Sequence, residues 1–316
     1  MALCTDVIDV LPNAYQTGTA RFLRPSFPVH DLGVNPTLHA GLRPEDLGMR
    51  IPTRGARAIL GALIYRSGLY RAFWTDRAIV VIFHRVDDRY PRDPITCSFE
   101  KFRTYCDFFQ RYFIVVSLGE LLDRLRSGRD ISRHLVITFD DGYRDNARCA
   151  LELKRRGLPA CFFVTTGFIG SSRNAWWDSL RSIHSEWMSW DDVRALHALG
   201  FELGPHTATH ANLGAVSGAD AVAEIVGAKE LLDNKLGVET QHFGFPFGRP
   251  EHLSDENRQL VRSAGFRSCL SACGGTVASG SDLFDLRRVG ISDAFGSPYQ
   301  WGFEMLPSNR EEQCSS

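Results

Sequence analysis

His134-Leu135-Val136-Ile137-Thr138-Phe139-Asp140-Asp141-Gly142 decides how the chain is read. An apolar, β-branched run without polar alternation is the pattern of a strand buried on both faces. This one stops on two adjacent carboxylates and a glycine, the residue best able to turn the chain. Comparable runs flank it. IVVIFH (79–84), FIVVS (113–117), ACFFVTT (160–166), FELGPH (201–206) and HFGFPFG (242–248) read as strands, as do FRSCLSA (266–272) and RRVGIS (287–292). Helical patterns lie between them. Ser98 opens one with Phe99, Phe102, Cys106 and Phe109 on one face, and Ser117 opens LGELLDRLRSG. Further helices run from Asp145 to Arg156 before Gly157, from Ser189 and Asp192 to Gly200, from Ser217 to Leu236, and from Glu256 to Ala264. Polar caps at the starts and glycines past the ends mark their limits. Strand-helix alternation from Ile79 to about Ile291 is the rhythm of an α/β fold with a parallel sheet. Roughly six to eight such units in one domain point to a closed or nearly closed (β/α) barrel.

In such a barrel, chemistry gathers at the C-terminal ends of the strands. His84, Asp140, Asp141, Thr165, His206 and Phe247 all fall there. The paired aspartates alone also fit a solvated turn capping the next helix. His206-Thr207-Ala208-Thr209-His210 changes the balance. Two imidazoles four residues apart on one turn can share a cation. With a carboxylate from another strand end they form a set of two histidines and one aspartate. Three protein ligands leave positions for water and substrate, as in a catalytic metal site.

Composition bounds the function classes. The 316 residues are 44% hydrophobic and 23% charged, which suits a globular chain with a large core. The 36 basic and 37 acidic residues give a net charge of -1, so no global field favours nucleic acid. The N-terminus shows neither the basic nor the apolar region of a signal peptide, and no run matches a membrane span of about 20 apolar residues. The expectation is cytoplasmic. The eight cysteines form no C-x-x-C pair, and Cys269 and Cys273 are read as reduced. Residues 1–50, with Pro12, Pro25, Pro28, Pro36 and Pro44, read as an irregular arm. Residues 51–77 read as a basic helical segment with a break near Gly68. It either caps the bottom of the domain or makes a peripheral membrane contact through residues 50–77. Residues 78–300 form the barrel and 301–316 a tail.

TFDDGY (138–143), HTATH (206–210) and FPFG (245–248), with FHRV (83–86), ACFFVTTGFI (160–169), LGFELGPHT (199–207) and LRRVGISD (286–293), resemble the polysaccharide deacetylase family. This is the group sharing the chitooligosaccharide deacetylase homology domain, carbohydrate esterase family 4. The resemblance spans roughly residues 78–295. It implies a distorted (β/α) barrel of about seven parallel strands behind the irregular N-terminal arm. It implies Asp140 as general base, and Asp141, His206 and His210 as ligands of a divalent metal. It also implies that the Phe247 N–H donates to the oxyanion. Zinc is the first choice of metal, and the ligand set also accepts cobalt, nickel or iron.

Two departures stand out. Gly244 occupies the place of a family arginine that orients the base, and Arg288 is the candidate replacement. The family's late histidine is also missing, since the last histidine is His252. In that respect the chain is similar to the exopolysaccharide-biosynthesis branch, where an early Y/F-H-R-V histidine enters the site. His84 then becomes the general acid; otherwise it is a core histidine. Trp176, Trp177 and Asp178 follow a Gly-Ser loop and either face a sugar or pack the loop; Arg288 is grouped with them as a substrate contact. Glu224, Lys229 and Glu230 read as a solvated helix face.

The resemblance implies a metal-dependent hydrolase that removes N-acetyl groups from an amino-sugar-containing glycan or glycan precursor, polymeric or lipid-linked, with metal-activated water as nucleophile. The alternatives are hydrolysis of another amide or O-acyl ester on the same site, or glycan binding without activity. Oligomeric state is not legible in the sequence.

Overall fold

The computed structural model describes residues 53–91 and 93–307; the expected arm of residues 1–50 and residues 308–316 lie outside them. Seven strands carry the architecture: β1 (Arg77–Phe83), β2 (His134–Phe139), β3 (Cys161–Val164), β4 (Glu202–Pro205), β5 (His242–Gly244), β6 (Ser268–Leu270) and β7 (Val289–Gly290). β1 pairs in parallel with β2, from Ala78↔His134 to Phe83↔Phe139. The parallel ladder continues through β3 to β4. On its other edge β1 takes β7 in parallel. β5 and β6 form a parallel pair, and a bridge between Leu270 and Leu286 ties β6 to the chain entering β7. Between β4 and β5 there is no ladder. A Cβ on Gly204 would stand 2.2 Å from the His242 carbonyl oxygen, so these backbones meet directly only because position 204 is glycine. The result is a distorted, incompletely closed barrel with an unladdered seam between β4 and β5 and only an isolated bridge on the way from β6 to β7. It is not purely parallel, because Val277–Ala278 runs antiparallel to the start of β1.

Successive strand residues enter two different apolar clusters, as the two-residue period of a strand requires. Ala78, Val80, Val136, Cys161 and Phe163 join Leu270 and Leu286 in the barrel interior. Ile79, Val81, Leu135, Ile137, Phe162 and Val164 join Phe102, Phe109 and Leu153 of the surrounding helices. His84, Asp140 and Thr165 continue the interior parity beyond the strand ends.

The flanking helices follow their caps. Ser98 and Ser117 accept from backbone N–H groups three residues on, and Ser189 with Asp192 closes a capping box. Gly128 and Gly157 end their helices in the left-handed conformation. The expected helix from Ser217 to Leu236 is interrupted: a π-helical turn, Ala223–Gly227, separates Gly218–Val222 from Ala228–Leu236. HFGFPFG is strand only over His242–Gly244, and FPFG is a turn.

Before the barrel, Thr53 caps the helix Arg54–Ser67 and Gly68 ends it. This helix crosses Pro298–Glu304 so closely that a Cβ on Gly61 would stand 2.0 Å from the Tyr299 carbonyl oxygen. Trp301 is fully buried, so the expected tail begins as part of the folded body. Cys97, Cys106, Cys149, Cys161 and Cys269 are buried thiols. No helix among the described residues is long and apolar enough to cross a membrane.

Gly204→Ala should destabilise the fold by about 2–3 kcal/mol, since neither backbone at the seam can give way cheaply. A drop in the urea midpoint at unchanged m-value would register it; an unchanged midpoint would mean the seam is looser than this packing.

Candidate metal and active site

Asp140 follows β2 directly, and its N–H donates to the Phe83 carbonyl (2.9 Å), which fixes it beside the end of β1. Its side chain is buried. Arg288, fully buried just before β7, donates from Nη1 to Oδ1 (2.7 Å) and from Nη2 to Oδ2 (2.9 Å). The guanidinium is itself held by the Ser271 carbonyl (3.1 Å) and the Thr138 hydroxyl (3.3 Å). Burial pushes the Asp140 carboxyl up, but Arg288, then His206 and His84, outweigh it and hold the group below the usual carboxylate range. Asp140 is therefore a charged carboxylate kept out of solvent by a bidentate partner.

Asp141 takes φ 73° and Gly142 takes φ 92°, so the chain reverses at once. A Cβ at 142 would press on Ile169 Cδ1 at 2.8 Å. The turn aims Asp141 at the histidines. Its Oδ1 lies 3.3 Å from His210 Nε2 and 3.5 Å from His206 Nε2. That buried oxygen has no hydrogen-bond partner among the described residues. Burial raises the Asp141 carboxyl, and His210, His84 and His206 together bring it far below the usual range. His206 Nδ1 donates to the Gly244 carbonyl (2.7 Å), which leaves the Nε2 lone pair facing Asp141. Burial lowers His206 to about 4, so it is neutral near neutrality. The His210 ring has no hydrogen bond at Nδ1 among the described residues; Trp177 (4.4 Å) and Phe247 (4.8 Å) hold it by ring contact. One ligand atom from each of Asp141, His206 and His210 falls within 4.8 Å of the others. An unpartnered buried carboxylate oxygen facing two imidazole nitrogens is a donor set that fits a divalent cation.

The remaining expected residues separate. His84 is half-buried at the end of β1, close enough to influence both aspartates. Phe247 lies in the FPFG turn at φ 61°, with its ring against His210 and His252. Trp176 is 37% exposed at the site rim, edge-on to Trp177. Trp177 is buried, donating to the Tyr143 hydroxyl (2.8 Å). Asp178 and Arg288 are both buried in ion pairs. Asp178 is fully buried, paired with Arg85 and accepting from Tyr143 (3.0 Å) and Ser185 (2.6 Å), because the buried Arg85 needs a counter-charge. Arg288 is committed to Asp140, the alternative role weighed for it. Gly244 also has a local reason: a Cβ there would meet Phe163 Cγ at 2.8 Å and His206 Nδ1 at 3.0 Å.

Glu224 was missed. Rather than lying on a solvated face, it is 5% exposed and grips the loop between the two histidines. Its Oε2 accepts from the N–H groups of Ala208 (3.0 Å) and Thr209 (2.8 Å), and its Oε1 from the Thr209 hydroxyl (2.6 Å). It sits in the π-helical turn, a feature frequent at functional sites. The sequence held a signal. Ala221, Ile225, Ala228 and Leu232 form a buried stripe at spacings of three and four, and Glu224 falls on it. Glu224→Ala should cost about 1–3 kcal/mol by stranding those donors, and should also weaken retention of any divalent cation held by the cluster against a chelator. Glu224→Gln should be milder on both. Melting curves and chelator competition test this; cation affinity unchanged in Glu224→Ala would separate the loop from the aspartate and histidine cluster.

Residues 127–269 match the model of the polysaccharide deacetylase family. YxkH of Bacillus subtilis (strain 168), whose name places it among the polysaccharide deacetylases, is 25% identical over 169 residues, 52% of this chain and 55% of that protein. The chain thus spans about half the length of this relative. Among solved structures, Streptococcus pyogenes deacetylase PplD in complex with acetate superposes with a TM-score of 0.61 at 18% identity, covering 73% of this chain and 99% of that one. IcaB from Ammonifex degensii does so at 0.59 and 21%, covering 72% and 97%. At these identities the likeness is one of fold.

Proposed function

We propose, for a chain that carries a polysaccharide deacetylase domain, that it removes N-acetyl groups from an amino-sugar-containing glycan or glycan precursor. One arrangement carries the reading: Asp140, kept charged by Arg288, lies 3.8 Å from His206, beside the cluster of Asp141, His206 and His210. Those three residues would hold a divalent metal, zinc being best suited to two imidazoles and a carboxylate, with cobalt, nickel or iron also compatible. When bound, the metal supplies positive charge that polarises the acetyl carbonyl and acidifies water. Asp140 accepts the proton of the attacking water, and Arg288 keeps its carboxylate ionised and aimed. The Phe247 N–H donates to the oxyanion that develops on the amide carbonyl. His84 gives a proton to the departing amine, which leaves poorly without one. Acetate and a free amino sugar are the products. Trp176, the exposed ring of its loop, offers a face for a sugar.

The test is mass spectrometry of N-acetylated glycans incubated with zinc-reconstituted protein. Loss of acetyl that stops on chelation and returns with zinc is expected; no loss across polymeric, oligomeric and lipid-linked substrates would sink the reading. Asp140→Asn should keep its metal and lose roughly 10²- to 10⁴-fold in turnover. His84→Ala should depress amide hydrolysis much more than hydrolysis of an activated aryl acetate, whose leaving group needs little protonation. Equal losses on both substrates, with a lowered melting temperature, would return His84 to a structural role.

A further inference from the structure

The helix Arg54–Ser67 is apolar on two sides. Gly61 and Tyr65 are buried where Pro298–Glu304 crosses. Elsewhere on the same helix, Ile59 is 64%, Leu63 62% and Leu60 39% exposed. The turn that follows adds Leu69 at 62% and Phe73 at 45%. Five of the twelve exposed large hydrophobics among the described residues thus fall between positions 59 and 73. A helix on a water-facing surface normally turns polar residues outward, so a concentration of this kind marks an interaction face.

Charge says what it meets. No aspartate or glutamate occurs from Thr53 to Thr75. Arg54, Arg66 and Arg71 are exposed and make no ion pair among the described residues. Arg66 lies over the Tyr299 ring at 5.3 Å and Arg71 over Tyr70 at 6.0 Å, so their stems follow the apolar surface. Exposed leucines, isoleucine and phenylalanine framed by guanidinium groups match an anionic lipid surface: the apolar tips enter the headgroup boundary and the cations meet phosphates. A second copy of the chain would bring like charges together.

We propose that the face formed by Ile59, Leu63, Leu69 and Phe73 docks the protein on an anionic membrane. The face sits where the strands begin: Trp74, at the end of this segment, accepts through its carbonyl from the Arg133 N–H beside the start of β2. The aspartate and histidine cluster lies at the other strand ends. Docking therefore leaves the strand ends that carry the cluster turned away from the membrane.

Flotation of the full chain tests this, with vesicles of phosphatidylcholine alone or mixed with phosphatidylglycerol. The chain should float with the mixed vesicles and not with phosphatidylcholine. Ile59→Glu with Leu63→Glu should lower partitioning roughly a hundredfold, and so should Leu69→Glu with Phe73→Glu as an independent pair. Arg66→Gln with Arg71→Gln should lower it roughly tenfold. All three pairs should keep the parent's melting temperature, since the changed side chains are exposed. Failure of the parent to float on the mixed vesicles, or equal flotation by both glutamate pairs, would overturn the proposal. So would a dimer in light scattering that the glutamate pairs disperse, which would assign the face to a second copy.

Discussion

Arg288 donates to both oxygens of Asp140, at 2.7 and 2.9 Å, with solvent reaching neither group. Much else follows from that pair. Asp140 and Asp141 are consecutive and both buried, so two negative charges have to persist in one small volume where desolvation favours neutral acids. Arg288 offsets one charge from just before β7, the strand that pairs with β1. The imidazoles of His206 and His210 face the other, and a cation held there would complete the neutralisation. The barrel thus supplies more than a frame. The curl of the sheet β7-β1-β2-β3-β4 brings the end of β2, the end of β4 and the approach to β7 to one point on its inner side.

The loops at that point are held in costly conformations. Asp141, Thr207, His210 and Phe247 are four of the seven non-glycine residues with positive φ among the described residues. Such conformations cost of order 1–3 kcal/mol each and persist only where the surroundings over-determine them. Here the surroundings are specific. Glu224 holds the two N–H groups between the histidines, the Gly167 N–H holds the Ala208 carbonyl (2.8 Å), and the Gly244 carbonyl fixes the His206 ring. The Trp177 loop is anchored through Tyr143, Asp178 and Arg85, so the indole against His210 rests on a buried ion pair. Side chains outside the cluster therefore set the geometry of those within it.

The sequence by itself determined the alternation of strands and helices, because apolar periods, caps and glycines are local signals. It also determined which strand ends carry carboxylates and imidazoles, since TFDDG and HTATH each sit on one short segment. Partners far apart in the chain were decided only by the tertiary structure. Arg288 lies 148 positions from Asp140, and no local pattern distinguishes an arginine that neutralises a buried base from one that meets a sugar. Asp178 reads in the sequence as either a sugar contact or a packed loop residue, and only the fold shows Arg85 against it. Glu224 lay on a readable stripe, yet a charge on a buried stripe has meaning only once its acceptor oxygens are seen against the histidine loop. Periodicity reports which face of an element is buried; which charges meet there depends on how the sheet curls.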